Sequence, residues 1–157
     1  SLIFYALYKT DLTRMANNQP VLFSTWGYDY ANDIDLDDEI PDDETVYAQI
    51  EDGTLTSRGV VVDIFNIGQN NAIFGDYYAV ERKTGSKWVK LNYVTGETPG
   101  WNDMNYIIEP ENDAAFSFYW SDIYGELDPG KYRVEKLYII DDGSNEIRNL
   151  YCEFEIK

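Results

Sequence analysis

Short runs of β-forming residues, each closed by glycine, proline, asparagine or aspartate, recur from residue 20 to the end of this chain. That punctuation constrains the fold more than any other feature. PVLFSTW ends at Gly27, and TVYAQI is followed by the turn sequence EDGT and then by the long run RGVVVDIFNIG. YYAVERK and KWVKLNY flank TGS, a short link that reads as a β-hairpin. From Ala114 to Trp120 the residues alternate, with Ala114, Phe116, Phe118 and Trp120 on one side. LDPG turns the chain into KYRVEKLYII, and DDGSN turns it back into EIRNLYCEFEIK. Strands this short and this evenly spaced predict an all-β domain, an antiparallel sandwich or barrel. The single predicted helix lies around Thr10 to Asn18, where Asn17, Asn18 and Pro20 stop it.

A chain of 157 residues has the length of one domain and needs no metal or disulfide to hold a core. Its net charge of −17 bears on partners. No Lys or Arg lies between Arg14 and Arg58, and none between Lys90 and Lys131. A nucleic-acid partner is excluded on that ground, because phosphates would be repelled and no basic face offers counterion release. Anionic membrane surfaces are disfavoured for the same reason.

The residue inventory narrows the chemistry further. With no histidine, Ser-His-Asp and Cys-His catalysis and every histidine-bearing metal site are ruled out. The lone cysteine, Cys152, alternates with Leu150, Phe154 and Ile156, which predicts a buried thiol on the inner face of a strand. With 29 Asp and Glu, some carboxylates will be neighbours by chance, and no local pattern selects a catalytic pair. No catalytic residue and no cofactor are expected, and ligand-binding residues stay unassigned. Trp88 and Trp120 read as core. Trp26 and Trp101, each beside a glycine, are the tryptophans free to form a sugar-stacking platform.

The stretch DIDLDDEIPDDE has the ligand spacing of an EF-hand calcium loop, with Asp33, Asp35, Asp37 and Glu44 at positions one, three, five and twelve. Against that reading, Asp38 holds the position where the loop turns on glycine, and Pro41 stands at position nine. The flanks GYDYAN and TVYAQI do not form a helix pair. A solvated acidic loop without bound metal is expected.

The opening residues SLIFYALY are apolar and precede Lys9 and Arg14. Eight residues fall short of the roughly 20 that cross a bilayer. They read equally as the end of a membrane span or as a short helix or strand packed on the domain.

YYAVERKTGSKWVKL followed by YGELDPGKYRVEKLY resembles the bacterial Ig-like domain of secreted and membrane-bound Firmicutes proteins. The resemblance rests on Gly85, Trp88 and Val89 in a hairpin, then on Leu127, Pro129, Gly130, Tyr132 and Arg133 at a turn. It covers roughly Gly53 to Lys157 and implies an immunoglobulin-like β-sandwich with an N-terminal extension. Tyr132 then resembles the tyrosine corner of such sandwiches, its hydroxyl bonding back to nearby backbone. YKTDLTRMANNQPVLFSTWGYDYA resembles the stretch that follows a single transmembrane helix in small anchored Firmicutes proteins without known activity. That implies residues 1–19 as the end of an anchor with its juxtamembrane segment, and residues 20–157 as a sandwich domain outside the cytoplasm. The implied role is a non-catalytic interaction or structural module at the cell envelope, its partner an unknown protein or glycan. A carbohydrate- or peptidoglycan-binding module is the alternative.

Overall fold

The computed structural model describes residues 45–157. The chain divides into two compact units, Ser1–Tyr47 and Ala48–Lys157. The predicted strand PVLFSTW, the predicted helix at 10–18, the acidic loop and the opening apolar run lie outside the described residues.

Eight strands follow one another: β1 (Val46–Ile50), β2 (Gly59–Asn66), β3 (Ala72–Thr84), β4 (Lys87–Lys90), β5 (Tyr106–Ile108), β6 (Asp113–Tyr119), β7 (Gly130–Ile140) and β8 (Arg148–Ile156). One sheet has the order β1-β2-β6. The other runs β4-β3-β7-β8, with β5 also bonded to β3. The β2–β6, β3–β4, β3–β5, β3–β7 and β7–β8 pairings are all antiparallel. Of the antiparallel sandwich or barrel expected from the turn spacing, the sandwich is the observed architecture.

Alternation fills the space between the sheets. Val60, Val62 and Ile64 of β2 face Tyr132, Val134 and Tyr138 of β7 and Leu150, Cys152 and Phe154 of β8, all buried. The predicted alternation of β6 holds, and it supplies the rings that join the layers. Phe116 meets Phe74 at 5.5 Å, Phe118 meets Tyr78 at 4.8 Å, and Trp120 stacks on Phe154 at 5.2 Å. The buried thiol of Cys152 is pushed up to about 12 by burial, with Glu153 adding to the effect. It is a core residue, as its alternation predicted.

Two glycines show why the turns sit where they do. Gly85, with φ 63°, closes the β3–β4 hairpin in the left-handed region that costs other residues energy. Gly59 opens β2 so close to β6 that a Cβ there would stand 2.6 Å from the Phe118 carbonyl oxygen. Predicted strand ends were less sharp. KWVKLNY keeps its pairing only through Lys90, with one further bond from Leu91 N to Val80 O, and then leaves the sheet.

The corner predicted at Tyr132 is present. Its hydroxyl donates to the Asp128 carbonyl at 2.8 Å, four residues back across Pro129 and Gly130. Tyr132 is buried and lies near-parallel to Phe154. Replacing Tyr132 by Phe is expected to cost about 1–2 kcal/mol, because the Asp128 carbonyl loses its donor in a partly buried turn. Chemical denaturation of the two proteins measures this, and an unchanged midpoint would reduce Tyr132 to packing alone.

Candidate functional site

Consecutive strands β5 and β6 enter different sheets. Ile108, Ile107 and Tyr106 pair with Ala72, Ile73 and Phe74 of β3, whereas β6 pairs with β2. Asn66 holds this divergence in place. Its amide donates to the carbonyls of Asn70 and Ile108 at 2.8 Å each, and its side-chain oxygen accepts from Gly68 N. Between the separated strands the sandwich stays open as a groove of about 500 Å³, lined among others by Asp76, Tyr78, Asn105, Tyr106, Phe116 and Lys136. That is within the size range of small-ligand and side-chain pockets.

Lys136 forms the floor. The alternation of β7 sets it on the inner face between Val134 and Tyr138, and it is 3% exposed. Opposite it β3 bulges. Phe74 pairs with Tyr138 and Tyr78 with Lys136, so four steps along β3 match two along β7. The bulge turns three successive carbonyls inward. The Lys136 ammonium donates to the oxygens of Gly75, Asp76 and Tyr77 at 2.6, 3.2 and 3.1 Å. It also lies 5.4 Å from the Phe116 ring centre and 5.8 Å from that of Phe118. Burial pushes its titration down to about 8, against the attraction of Asp76. The same burial, with Asp76, pushes the Tyr78 phenol up to about 12. Each proton of the ammonium has an acceptor, so Lys136 is a staple for the bulge rather than a free nucleophile.

The outer face of the five-stranded sheet carries a second set of charges. Arg133 is paired with Glu81 and sits 4.6 Å from the Trp88 ring centre and 3.8 Å from that of Tyr151. Lys90 reaches Glu135 at 3.1 Å, a hydrogen bond that raises the lysine's affinity for its proton. Trp88 is therefore not the core residue expected. It is half-buried on the outer face of β4, under the guanidinium of Arg133. Its strand has Lys at both ends, and the aromatic ring covers cations instead of packing between the sheets.

Trp120 is core as expected, fully buried, with its indole N–H donating to Ser57 O at 2.8 Å. Trp101 is half-buried and packs at steep angles against Tyr77 and Tyr78, at 5.5 and 5.4 Å. Trp26, Asp33, Asp35, Asp37 and Glu44 lie outside the described residues. Among the described residues, no group of three or more Cys, Asp or Glu is placed to hold a metal ion. Asp63, Glu51 and Asp113 come near enough to repel, and burial together with that repulsion raises Asp63. Asp63 stands on the face of β2 opposite Val62 and Ile64, away from the groove. The sequence does not announce the groove or the Lys136 staple, although the alternation of KYRVEKLYII sets that lysine beside inward residues.

An immunoglobulin-type sandwich with a tyrosine corner and an open side is the class these features define. The chain belongs to the bacterial Ig-like domain family, whose model matches residues 42–155. No curated protein matches the sequence. Among solved structures, it is similar to the archaellum periplasmic stator protein complex FlaF and FlaG from Sulfolobus acidocaldarius. The identity is 15%, over 77% of this chain and 96% of that one, with a TM-score of 0.43. It is likewise similar to the stator protein FlaG from the same organism, at 16% identity over 69% and 99%, with a TM-score of 0.39.

Proposed function

We propose that this chain is a non-catalytic module held outside the cytoplasm by a membrane anchor at its N-terminal side, where it binds or braces a partner of the cell envelope. The observation that carries this reading is membership of the bacterial Ig-like family over residues 42–155. The chemistry of the domain supports it. Its buried charged groups are engaged in structure, Glu81 with Arg133, Glu135 with Lys90, and Lys136 with three carbonyls. The anchor rests on SLIFYALY followed by Lys9 and Arg14, and on the resemblance of the next residues to juxtamembrane segments. Among the described residues no helix is long and apolar enough to cross a membrane. The glycan alternative is weakened at Trp101, whose ring is engaged by Tyr77 and Tyr78.

Cell fractionation tests the address. The protein in its native cells should stay with membranes through an alkaline wash and be cut by protease added to intact cells. Recovery in the soluble cytoplasmic fraction, protected from protease, would overturn the reading.

A further inference from the structure

The three-stranded sheet ends at β6, and that edge is open. Antiparallel pairs alternate between those that exchange backbone bonds and those that do not. The bond from Trp120 N to Arg58 O sets the phase. Phe118, Phe116 and Ala114 therefore bond toward β2, and Asp113, Ala115, Ser117 and Tyr119 present their N–H and C=O groups to the outside. Among the described residues nothing bonds to that outer edge. Ala115, Ser117 and Tyr119 are exposed. Antibody-type constant sandwiches carry a fourth strand at this place. Here the strand available for it, β5, is bonded to β3 instead.

Natural sheet edges are guarded by charges, prolines, bulges or brevity. The edge at β4 has Lys87 and Lys90, and that at β8 has Arg148, Glu153 and Glu155. Between Asp113 at its start and Tyr119 at its end, where the Arg58 guanidinium lies over the ring, β6 has none of these. DAAFSFY is seven residues of unbroken register with one charge, at its first position. The inner side of the same strand lines the groove. A strand laid against β6 would send every second side chain over Phe116 and Tyr106.

We propose that β6 accepts an extended segment of a partner protein as an added strand, apolar at alternate positions and flanked by lysine or arginine. Charge complementarity selects this occupant. Asp76 lines the groove, the lysine of its floor, Lys136, is already bonded to three backbone carbonyls, Asp113 opens β6, and no Lys or Arg occurs from residue 91 to 130. A second copy of this chain would bring a net charge of −17 against its own like. The proposal rests on the reading of the chain as an interaction module, but not on its address. A failure of cell fractionation would move the protein and leave the edge intact, and a failure below would leave the address intact.

The test is a random-peptide display library panned on the full chain, with enriched peptides synthesised and titrated calorimetrically. Enrichment of alternating apolar sequences with basic flanks is expected, together with slowed amide exchange at Ala115, Ser117 and Tyr119. Ser117→Pro removes an edge N–H that bonds nothing in the free domain, so it should spare the melting temperature and weaken binding about tenfold or more. Ala115→Lys, which guards the edge without touching the backbone, should weaken it as well. No enrichment, selection of acidic peptides, or binding unaffected by both variants would overturn the proposal. So would a dimer in sedimentation that Ser117→Pro dissociates, which would assign the edge to a second copy.

Discussion

Replacing Lys136 by methionine is expected to destabilise the domain by about 3 kcal/mol, the cost of leaving buried carbonyls without donors. The methionine keeps the apolar stem over Phe116 and Phe118, so the loss reports on the bonds to Gly75, Asp76 and Tyr77. Relief from burying an ammonium offsets part of it. The pH dependence separates the two effects. Burial takes Lys136 from 10.5 down to about 8, so above pH 8 the folded chain has released a proton that the unfolded chain still binds. Stability from this group therefore rises with pH through that window and is lowest below pH 8. Cys152 and Tyr78, both pushed up to about 12, act in the opposite sense above pH 9 and pH 10 respectively. They are common to both proteins and cancel in the difference. Urea unfolding at pH 7, 8 and 9 should show the gap between wild type and Lys136→Met widening with pH. A gap below about 1 kcal/mol would show that the bulge holds without its lysine, and one that stays flat would show that burial does not shift the lysine's titration.

Replacing Trp120 by alanine is expected to be the costliest single change, about 4 kcal/mol, the range for emptying a large buried aromatic site. Trp120 is fully buried, stacks on Phe154 and donates to the Ser57 carbonyl, so it links the loop before β2 to the end of β6 and to β8. Trp120→Phe should retain the stack and lose the bond, at about 1–2 kcal/mol. Guanidinium unfolding of the three proteins gives the comparison. Equal losses for alanine and phenylalanine would place the value of the site in the N–H, and near-zero loss for both would contradict the packing.

Much of this was legible locally. Runs of alternating residues at β6 and β8 carried their own inward face, and the LDPG turn pointed to a corner at Tyr132, whose hydroxyl finds the Asp128 carbonyl. What was hidden depends on contacts far apart in sequence. β5 is three residues, YII, too short for any periodicity to register. The bulge in β3 exists only against β7, and YYAVERK by itself gives no sign that pairing resumes upstream at Ala72. Lys136 was visible as an alternating position, yet a lysine within a strand reads as solvent-facing until three carbonyls are found to receive it. Trp88 lies outside the core because the guanidinium of Arg133, far off in sequence, covers its ring on the outer face. The open edge of β6 could not be read at all, since it follows from where β5 chooses to bond.

The charges on the outer face of the larger sheet set how the domain responds to ionic strength. Glu81 and Arg133 are sheltered together, and dissolved ions reach that pair poorly, whereas Lys90 opposite the buried Glu135 stands half exposed. The surplus of acidic side chains, 29 against 12 basic, repels across the whole chain. Salt shortens the reach of that repulsion while leaving the sheltered pair of Glu81 and Arg133 nearly as strong as before. A rising salt concentration should thus tighten this protein where it loosens one held by exposed ion pairs.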